Sequence, residues 1–360
     1  MTETDDLAAS DALIPPRKGE TLDEVKLQEY LREKLEGAGK AMAVEQFGGG
    51  HANLTYLLRF GEGDKAQEYV LRRPPVGPVA KTAHDMGREY QALSRLYRGF
   101  PPAPRAFVYC DDPAVIGAPF FIMERRHGVI VRREVPAIFG GGEDPVANQK
   151  LSEVVIDTLV ELHAVDPAAC DLQNIGKPDG FLKRQVEGWT ARYERSKTTD
   201  IPLATELSKW LLDNLPKSPD ATILHNDWRL DNMAVAEDDP GRCVAVYDWD
   251  MCTLGDPLTD IGTVLCLWVN REEGFGAGAP MPTQVPGWIS REEAGARYGA
   301  RSGRDISLLP YYLVFGTFKV GVVLQQIYHR YHIGQTKDER FAGFESMAEA
   351  LFGLAASRRP

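Results

Sequence analysis

The 360-residue sequence predicts an α+β fold in two lobes, the first rich in strands and the second in helices. Two observations carry this. Between Val44 and Met123 the chain runs in short β-branched and aromatic stretches divided by turn residues, with one helical stripe among them. After Met123 apolar residues recur at three- and four-residue spacing through six long segments. A content of 43% hydrophobic and 26% charged residues suits a folded globule.

The elements follow in order. Residues 1–20, with Pro15-Pro16 near their end, read as a flexible arm. Leu22, Val25, Tyr30, Leu31 and Leu35 then recur at helical spacing, and Gly37 stands where a helix cap belongs. Val44–Phe47, Leu54–Phe60, Glu68–Arg72, Arg105–Cys110 and Pro119–Met123 read as strands. The stripe Met86, Tyr90, Leu93, Leu96 and Tyr97 marks a helix from about His84 to Arg98. Phe120–Gly128 reads as an edge strand entering a linker, so the first lobe is placed at 21–123, the linker at 124–130 and the helical lobe at 131–360. In that lobe helices are expected at 147–164, 180–195, 203–214, 256–270, 304–331 and 336–357. Strands are expected at Thr222–His225, Asn232–Ala236 and Cys243–Asp248. The Gly- and Pro-rich stretches 136–145 and 273–287 read as long loops. Leu308–Ile327 carries Pro310, Lys319 and two glycines, which suits a buried helix better than a membrane span.

Charge and cysteine usage exclude several classes. Forty-one Lys and Arg against 52 Asp and Glu give a net charge of −11, which argues against general affinity for nucleic acid or an anionic membrane. The five cysteines are odd in number and no two are closer than nine positions, so neither a zinc site nor a disulfide framework is indicated. They read as free thiols of a reducing compartment. The N-terminal stretch is acidic and lacks an apolar core, so no signal peptide is expected and a cytoplasmic location is.

Chemistry concentrates at His225-Asn226-Asp227-Trp228-Arg229-Leu230-Asp231-Asn232, which fits H-x-D-x-x-x-x-N. The apolar run Val244–Tyr247 follows and ends in Asp248, with Asp250 two residues on. Phosphoryl transfer calls for such groups: one carboxylate to orient the attacking hydroxyl, and an Asn and a second carboxylate to hold magnesium. Gly48-Gly49-Gly50-His51-Ala52-Asn53 between two strand runs suits close backbone approach to phosphate. Two rival nucleotide motifs fail. Gly39-Lys40 is followed by Ala41, so there is no Walker A, and Gly37-Ala38-Gly39 does not continue to a third glycine.

With GGGHANLTYLL, YVLRRPP, GREYQAL, PFFIMERRHG, RQVEGW, HNDWRLDN and YDWDMCTLGDPLTDIG, the chain from about residue 22 resembles the aminoglycoside phosphotransferase/choline kinase family. It is most similar to the subfamily whose members are often fused to, or encoded near, acyl-CoA dehydrogenases. The resemblance implies a bilobal protein-kinase-like fold, ATP and Mg²⁺ as cofactors, and transfer of the γ-phosphate to a small-molecule hydroxyl. It puts Asp227 in the place of the catalytic base and Asn232 and Asp248 on the magnesium positions. Gly49, Gly50, Asn53 and Arg72 fall where phosphates are gripped, and Glu89, on the inward stripe of its helix, pairs with Arg72. Met123 and Glu124 fall in the hinge beside adenine. The His of this loop is expected to support the loop by packing and hydrogen bonding.

The chain departs from the pattern in three places. Asn226 stands where Gly is frequent, Ala52 where Ser is frequent, and Arg72 where protein kinases carry Lys. Asp256 with Pro257 reads as a helix N-cap, and Asp260 as a residue that bonds back to the loop. Arg229, Asp250, Trp189, Trp249, Trp268 and the 273–287 loop are substrate-side candidates. Arg125, Arg126, Arg132 and Arg133 form a basic stretch after the hinge strand. No D-F-G is readable, since Trp-Asp follows Asp248, which disfavours a protein kinase. For the acceptor, a hydroxyacyl (CoA) metabolite is expected, with a functional link to an acyl-CoA dehydrogenase. An aminoglycoside or amino-alcohol kinase and a nucleotide-binding pseudokinase scaffold stay open beside it.

Overall fold

The computed structural model describes residues 12–48, 53–76, 85–270 and 281–360. The chain divides into two compact units. One contains the chain up to Gly128 together with Cys170–Leu172 and Val244–Cys252. The other contains Val129–Ala169, Gln173–Cys243 and Thr253–Pro360.

The first unit is built on an antiparallel sheet of β1 (Leu13–Ile14), β2 (Met42–Phe47), β3 (Leu54–Phe60), β4 (Gln67–Arg73), β5 (Ala106–Cys110) and β6 (Phe120–Glu124). Its spatial order is β1-β2-β3-β4-β6-β5. β6 is therefore an interior strand, paired to β4 through Val70↔Met123 and to β5 through Tyr109↔Phe121, not the edge strand expected from sequence. The run Phe120-Phe121-Ile122-Met123 explains this, because a strand buried on both faces is apolar without alternation. Residues 12–20, expected in a free arm, are tied to the sheet. Leu13 and Ile14 pair with Phe47 and Gln46, the Arg17 amide donates to Gln46 Oε1 (2.9 Å), and the Gln46 amide donates to Glu20 (2.6 Å).

One sheet face and α1 (Glu24–Leu31) enclose a core of Leu27, Leu31, Tyr56, Leu58, Phe60, Leu71, Phe120 and Ile122. By strand alternation Val70 and Arg72 lie on the opposite face. α2 (Met86–Leu96) turns Met86, Glu89, Ala92, Leu93 and Leu96 inward, starting from an Asp85 side chain that accepts the Arg88 amide at 3.0 Å. A short α3 (Pro113–Ile116) precedes β6.

In the second unit the helices are α4 (Pro145–His163), α5 (Phe181–Ser196), α6 (Pro202–Asp213), α7 (Pro257–Cys266), α8 (Arg291–Ser302), α9 (Leu309–His332) and α10 (Phe344–Ser357). All but α8 were expected. The stretch 136–145, read as a loop, carries 3₁₀ turns at Ala137–Gly142 and then Asp144, which caps α4. Short strands complete the unit. β8 (Thr222–Leu224) pairs with β11 (Thr253–Gly255), and β7 (Val129–Ile130) with β9 (Met233–Ala236). β10 (Asp239–Val246), which belongs to this unit as far as Cys243, follows β9 and lies beside it. The helices α7 and α9 cross at Gly262 and Gly316. A Cβ at Gly262 would stand 2.7 Å from the Tyr312 carbonyl oxygen, and one at Gly316 would stand 2.8 Å from the Gly262 oxygen, so only glycine allows this approach. Asp260 lies just before this crossing on α7, and Lys319 just after it on α9.

Candidate active site

Two constellations of polar residues are built, one in each unit. In the first, Arg72 on β4 bonds Glu89 on α2 through Nη1 and donates from Nη2 to Asp248 Oδ1 at 3.1 Å. The Trp249 amide also reaches Glu89, at 3.4 Å. A planar guanidinium has separate edges for two acids, which an ammonium lacks. Burial pushes the Glu89 carboxyl up to about 7, against the lowering pull of Arg72. Burial also works against the charge on Arg72, yet Glu89 and Asp248 carry its value above the usual one. Asp248 sits at φ +66°, in the left-handed region that non-glycine residues enter rarely and mostly at functional positions. Its side chain is 36% exposed, unlike the buried Glu89.

The second constellation is the segment between β8 and β9. His225 is fully buried, its ring against Trp228 at 5.5 Å, and its Nδ1 accepts the Asp227 amide at 3.2 Å. The Trp228 indole donates to the Val155 carbonyl at 3.0 Å. Asn226 lies at φ +66°, so it adopts the conformation that glycine favours and that Asn tolerates best among the other residues. Asp260 pins this turn from α7. One of its carboxylate oxygens accepts the His225 amide (2.8 Å), and the other the Asn226 amide (2.9 Å). From α9, Lys319 donates to the Asn226 carbonyl at 2.8 Å. The turn thus presents Asp227, whose carboxylate and backbone carbonyl both accept from the Asn232 amide, at 3.0 and 2.9 Å. Burial raises the Asp227 carboxyl above its usual range, against Arg229, His225, Lys319 and the Asn232 hydrogen bond. A carboxylate made more basic by burial is better matched to accepting a proton.

Behind Asp260 sits a group that sequence reading did not single out. His163, at the end of α4, has Nδ1 2.8 Å from the Tyr298 hydroxyl and Nε2 3.4 Å from Asp260. With Nδ1 accepting from Tyr298, the proton on Nε2 faces Asp260. Burial holds the His163 imidazole below its ordinary value, against the raising pull of Asp260. Burial disfavours the Asp260 charge too, but His163, His225 and the backbone donors hold its carboxyl below the usual range. The unfolded imidazole titrates at about 6.5, so below that pH the unfolded chain takes a proton that the folded chain refuses. The stability from this group is complete above about pH 6.5 and drains away on acidification, by up to about 1.4 kcal/mol per pH unit. Urea unfolding at pH 7, 6 and 5 should show that slope, and His163→Gln should flatten it. An unchanged slope in the variant would remove His163 from this role.

Each unit carries a hard-oxygen side chain of the kind magnesium prefers, Asn232 in the second and Asp248 in the first. Among the described residues no three acidic, His or Cys side chains gather as a metal cage. A magnesium ion in a phosphoryl-transfer site takes few protein ligands, all hard oxygens, and completes its shell with phosphate and water. Asn232 spends its amide nitrogen on Asp227, and its amide oxygen makes no hydrogen bond among the described residues. In the first unit, Asp248 keeps a partly exposed carboxylate with one oxygen on Arg72.

The remaining candidates fall as follows. Gly49, Gly50, His51 and Ala52 lie outside the described residues, as do 273–280 of the expected 273–287 loop. Asn53 is buried just before β3. Met123 is buried on β6. Glu124 ends that strand, its carboxylate accepting the Arg105 amide (3.2 Å) and pairing with Arg126 (3.0 Å). Asp250 belongs to the first unit, where its charge bears on Arg72 and Glu89. Arg229 lies 3.1 Å from Asp231 and 3.7 Å from Asp227. Trp249 is fully buried, its indole bonded to the Val246 carbonyl, and the Trp268 indole donates to Ile289. Asp256 caps α7 and accepts from the Tyr312 hydroxyl at 2.6 Å.

Residues 43–298 match the profile of a family described as the phosphotransferase enzyme family, APH. A chicken protein, acyl-CoA dehydrogenase family member 11, is 33% identical over 358 residues. The match covers 95% of this chain and 44% of the chicken protein, so the chain spans less than half of that relative's length. Among solved structures, a candidate aminoglycoside phosphotransferase from Ralstonia eutropha superposes with a TM-score of 0.80 at 28% identity, covering 94% of this chain and 98% of the other. An aminoglycoside phosphotransferase solved with ADP and hygromycin B shares the fold, with a TM-score of 0.57 at 14% identity over 92% of this chain and 98% of its own. The chain therefore has a kinase-like fold, strand-rich at first and helix-rich later.

Proposed function

The chain belongs to the phosphotransferase enzyme family, and from that premise we propose that it is an ATP- and Mg²⁺-dependent kinase that moves the γ-phosphate to a hydroxyl of a small molecule. The observation that carries the reading is Asp227, raised in basicity by burial and bonded to Asn232, on a turn fixed by Asp260. Asp227 orients the acceptor hydroxyl and takes its proton as the new O–P bond forms and the bond from the γ-phosphorus to the bridging oxygen breaks, releasing ADP. Asn232 and Asp248 would hold Mg²⁺, which when bound offsets charge on the phosphates. Arg72, anchored by Glu89, and the backbone and side chains of 48–53 hold the triphosphate. Met123 and Glu124 flank the adenine. Catalysis of this kind is mostly positioning and electrostatics.

The acceptor we propose is a hydroxyacyl metabolite, free or as its CoA thioester, which links this chain functionally to an acyl-CoA dehydrogenase. The chicken relative's name supports that link. Within this reading the substrate is a small molecule and the setting cytoplasmic; no described helix is long and apolar enough to cross a membrane.

The test is transfer of labelled γ-phosphate from ATP to a metabolite extract, with ATP binding followed by calorimetry with and without Mg²⁺. Wild type should label a small molecule, and Asp248→Ala should lose both the labelling and the Mg²⁺ dependence of ATP binding. ATP binding indifferent to Mg²⁺, without labelling of the extract, hydroxyacyl-CoA thioesters or aminoglycosides, would support a nucleotide-binding scaffold instead.

A further inference from the structure

Two cations in the second unit converge on one indole. Trp189 and Arg192 lie on α5, Lys319 on α9. The Arg192 guanidinium stands 4.4 Å from the buried Trp189 ring centre, and Lys319 Nζ stands 5.6 Å from it. Both cationic side chains are half-buried. Arg229 already has Asp231 and Asp227 within ion-pair distance. Arg192 and Lys319 have no carboxylate at that distance among the described residues. The hydrogen bond found for the Lys319 ammonium goes to the Asn226 carbonyl, one residue before Asp227.

Half-buried positive charge without an anion is costly, and an indole face offsets part of that cost. Burial, with Arg195, holds the Arg192 guanidinium below its usual value. Burial likewise lowers Lys319, with Arg192 adding to the effect while Asp260 and Asp227 oppose it. An incoming anion relieves both. A guanidinium placed over an aromatic ring still has N–H donors to offer a carboxylate or phosphate.

We propose that Arg192 and Lys319, set against Trp189, form a subsite for an anionic group, carboxylate or phosphate, on the molecule whose hydroxyl faces Asp227. The word acceptor rests on the kinase reading above; anion binding at this subsite does not. The consequence is a selectivity by charge. An acceptor with a negative group beyond its hydroxyl is retained, and a cationic amino-alcohol meets two like charges.

Calorimetry on the full chain at low ionic strength tests this with three probes: 3-hydroxybutyrate, inorganic phosphate and choline. At least one of the two anions should bind. Its affinity should fall tenfold or more in Arg192→Gln, as expected for losing a charged hydrogen bond, and should largely survive in Arg192→Lys. Binding of 3-hydroxybutyrate alone assigns a carboxylate subsite, and sensitivity of phosphate binding to Arg192→Gln assigns a phosphate one. Lys319→Gln should weaken the same anion, and thermal melts report whether each variant folds. Choline binding in preference to both anions, no binding of either anion, or anion affinity unchanged in a folded Arg192→Gln would each overturn the inference. ATP·Mg²⁺ titrated into the same samples reports on the kinase reading separately.

Discussion

Replacing Asp227 with asparagine lowers phosphoryl transfer by about 10²–10⁴-fold, the range over which a positioned proton acceptor contributes. ATP·Mg²⁺ affinity changes little, because the carboxylate is assigned to the acceptor hydroxyl and not to the nucleotide. The substitution is conservative in shape. The Asn232 amide still finds the residue 227 backbone carbonyl, 2.9 Å away in the structure, and the amide at 227 keeps its bond to His225 Nδ1. Loss of turnover with an unaltered melting temperature is therefore the signature of a proton acceptor. Turnover within tenfold of wild type on the same acceptor would remove Asp227 from that role. A large fall in melting temperature would instead make it a structural residue of the turn.

Asp260→Ala should be the most destabilising substitution near the site. It removes the acceptors of two backbone amides, at His225 and Asn226, and it strips His163 Nε2 of its partner. All these groups are buried or nearly so, and breaking a buried, charge-assisted network of this kind costs about 3–5 kcal/mol. Asp260→Asn keeps one amide acceptor and should fall between. Chemical denaturation measures the stability loss, and turnover at a temperature where the variant is still folded measures the rest. The turn carries Asp227, so the rate should drop even in folded protein. A folded Asp260→Ala with normal turnover would mean that the Lys319 and His225 contacts suffice to hold the turn.

Much of the fold was legible because the period of the apolar pattern changes once, near Met123, from strand-like to helical. What was misread was misread for physical reasons. β6, which runs into a linker, reads as an edge strand, but its Phe120–Met123 run is apolar on both faces and belongs inside a sheet. The helix Arg291–Ser302 offers little apolar stripe to read, because its residues are largely polar or glycine. Its true marker is the capping box of Ser290 and Glu293. The Asp227–Asn232 relation is local and was readable, as was the alternation that puts Arg72 toward Glu89. The His163–Asp260 and Lys319–Asn226 bonds join residues 97 and 93 positions apart, a separation that no local pattern encodes. Lys319 did leave a trace, as the lone charge in an otherwise apolar helix stretch, which demands a buried partner. At Asn226 the residue standing where glycine is frequent takes up the left-handed conformation that glycine favours.

The short pairing of Leu13–Ile14 with Gln46–Phe47 has a bearing on how this chain behaves in concentrated solution. Without it β2 would be the outermost strand, offering a row of unpaired amides and carbonyls to any other extended chain. Two residues occupy part of that row, and their grip is extended by Arg17 on Gly48 and Gln46 and by the Ala12 carbonyl on the Gly48 amide. The segment acts as a selvedge for the sheet. Recombinant versions trimmed beyond residue 14 should bare the strand and self-associate more readily, as light scattering would report.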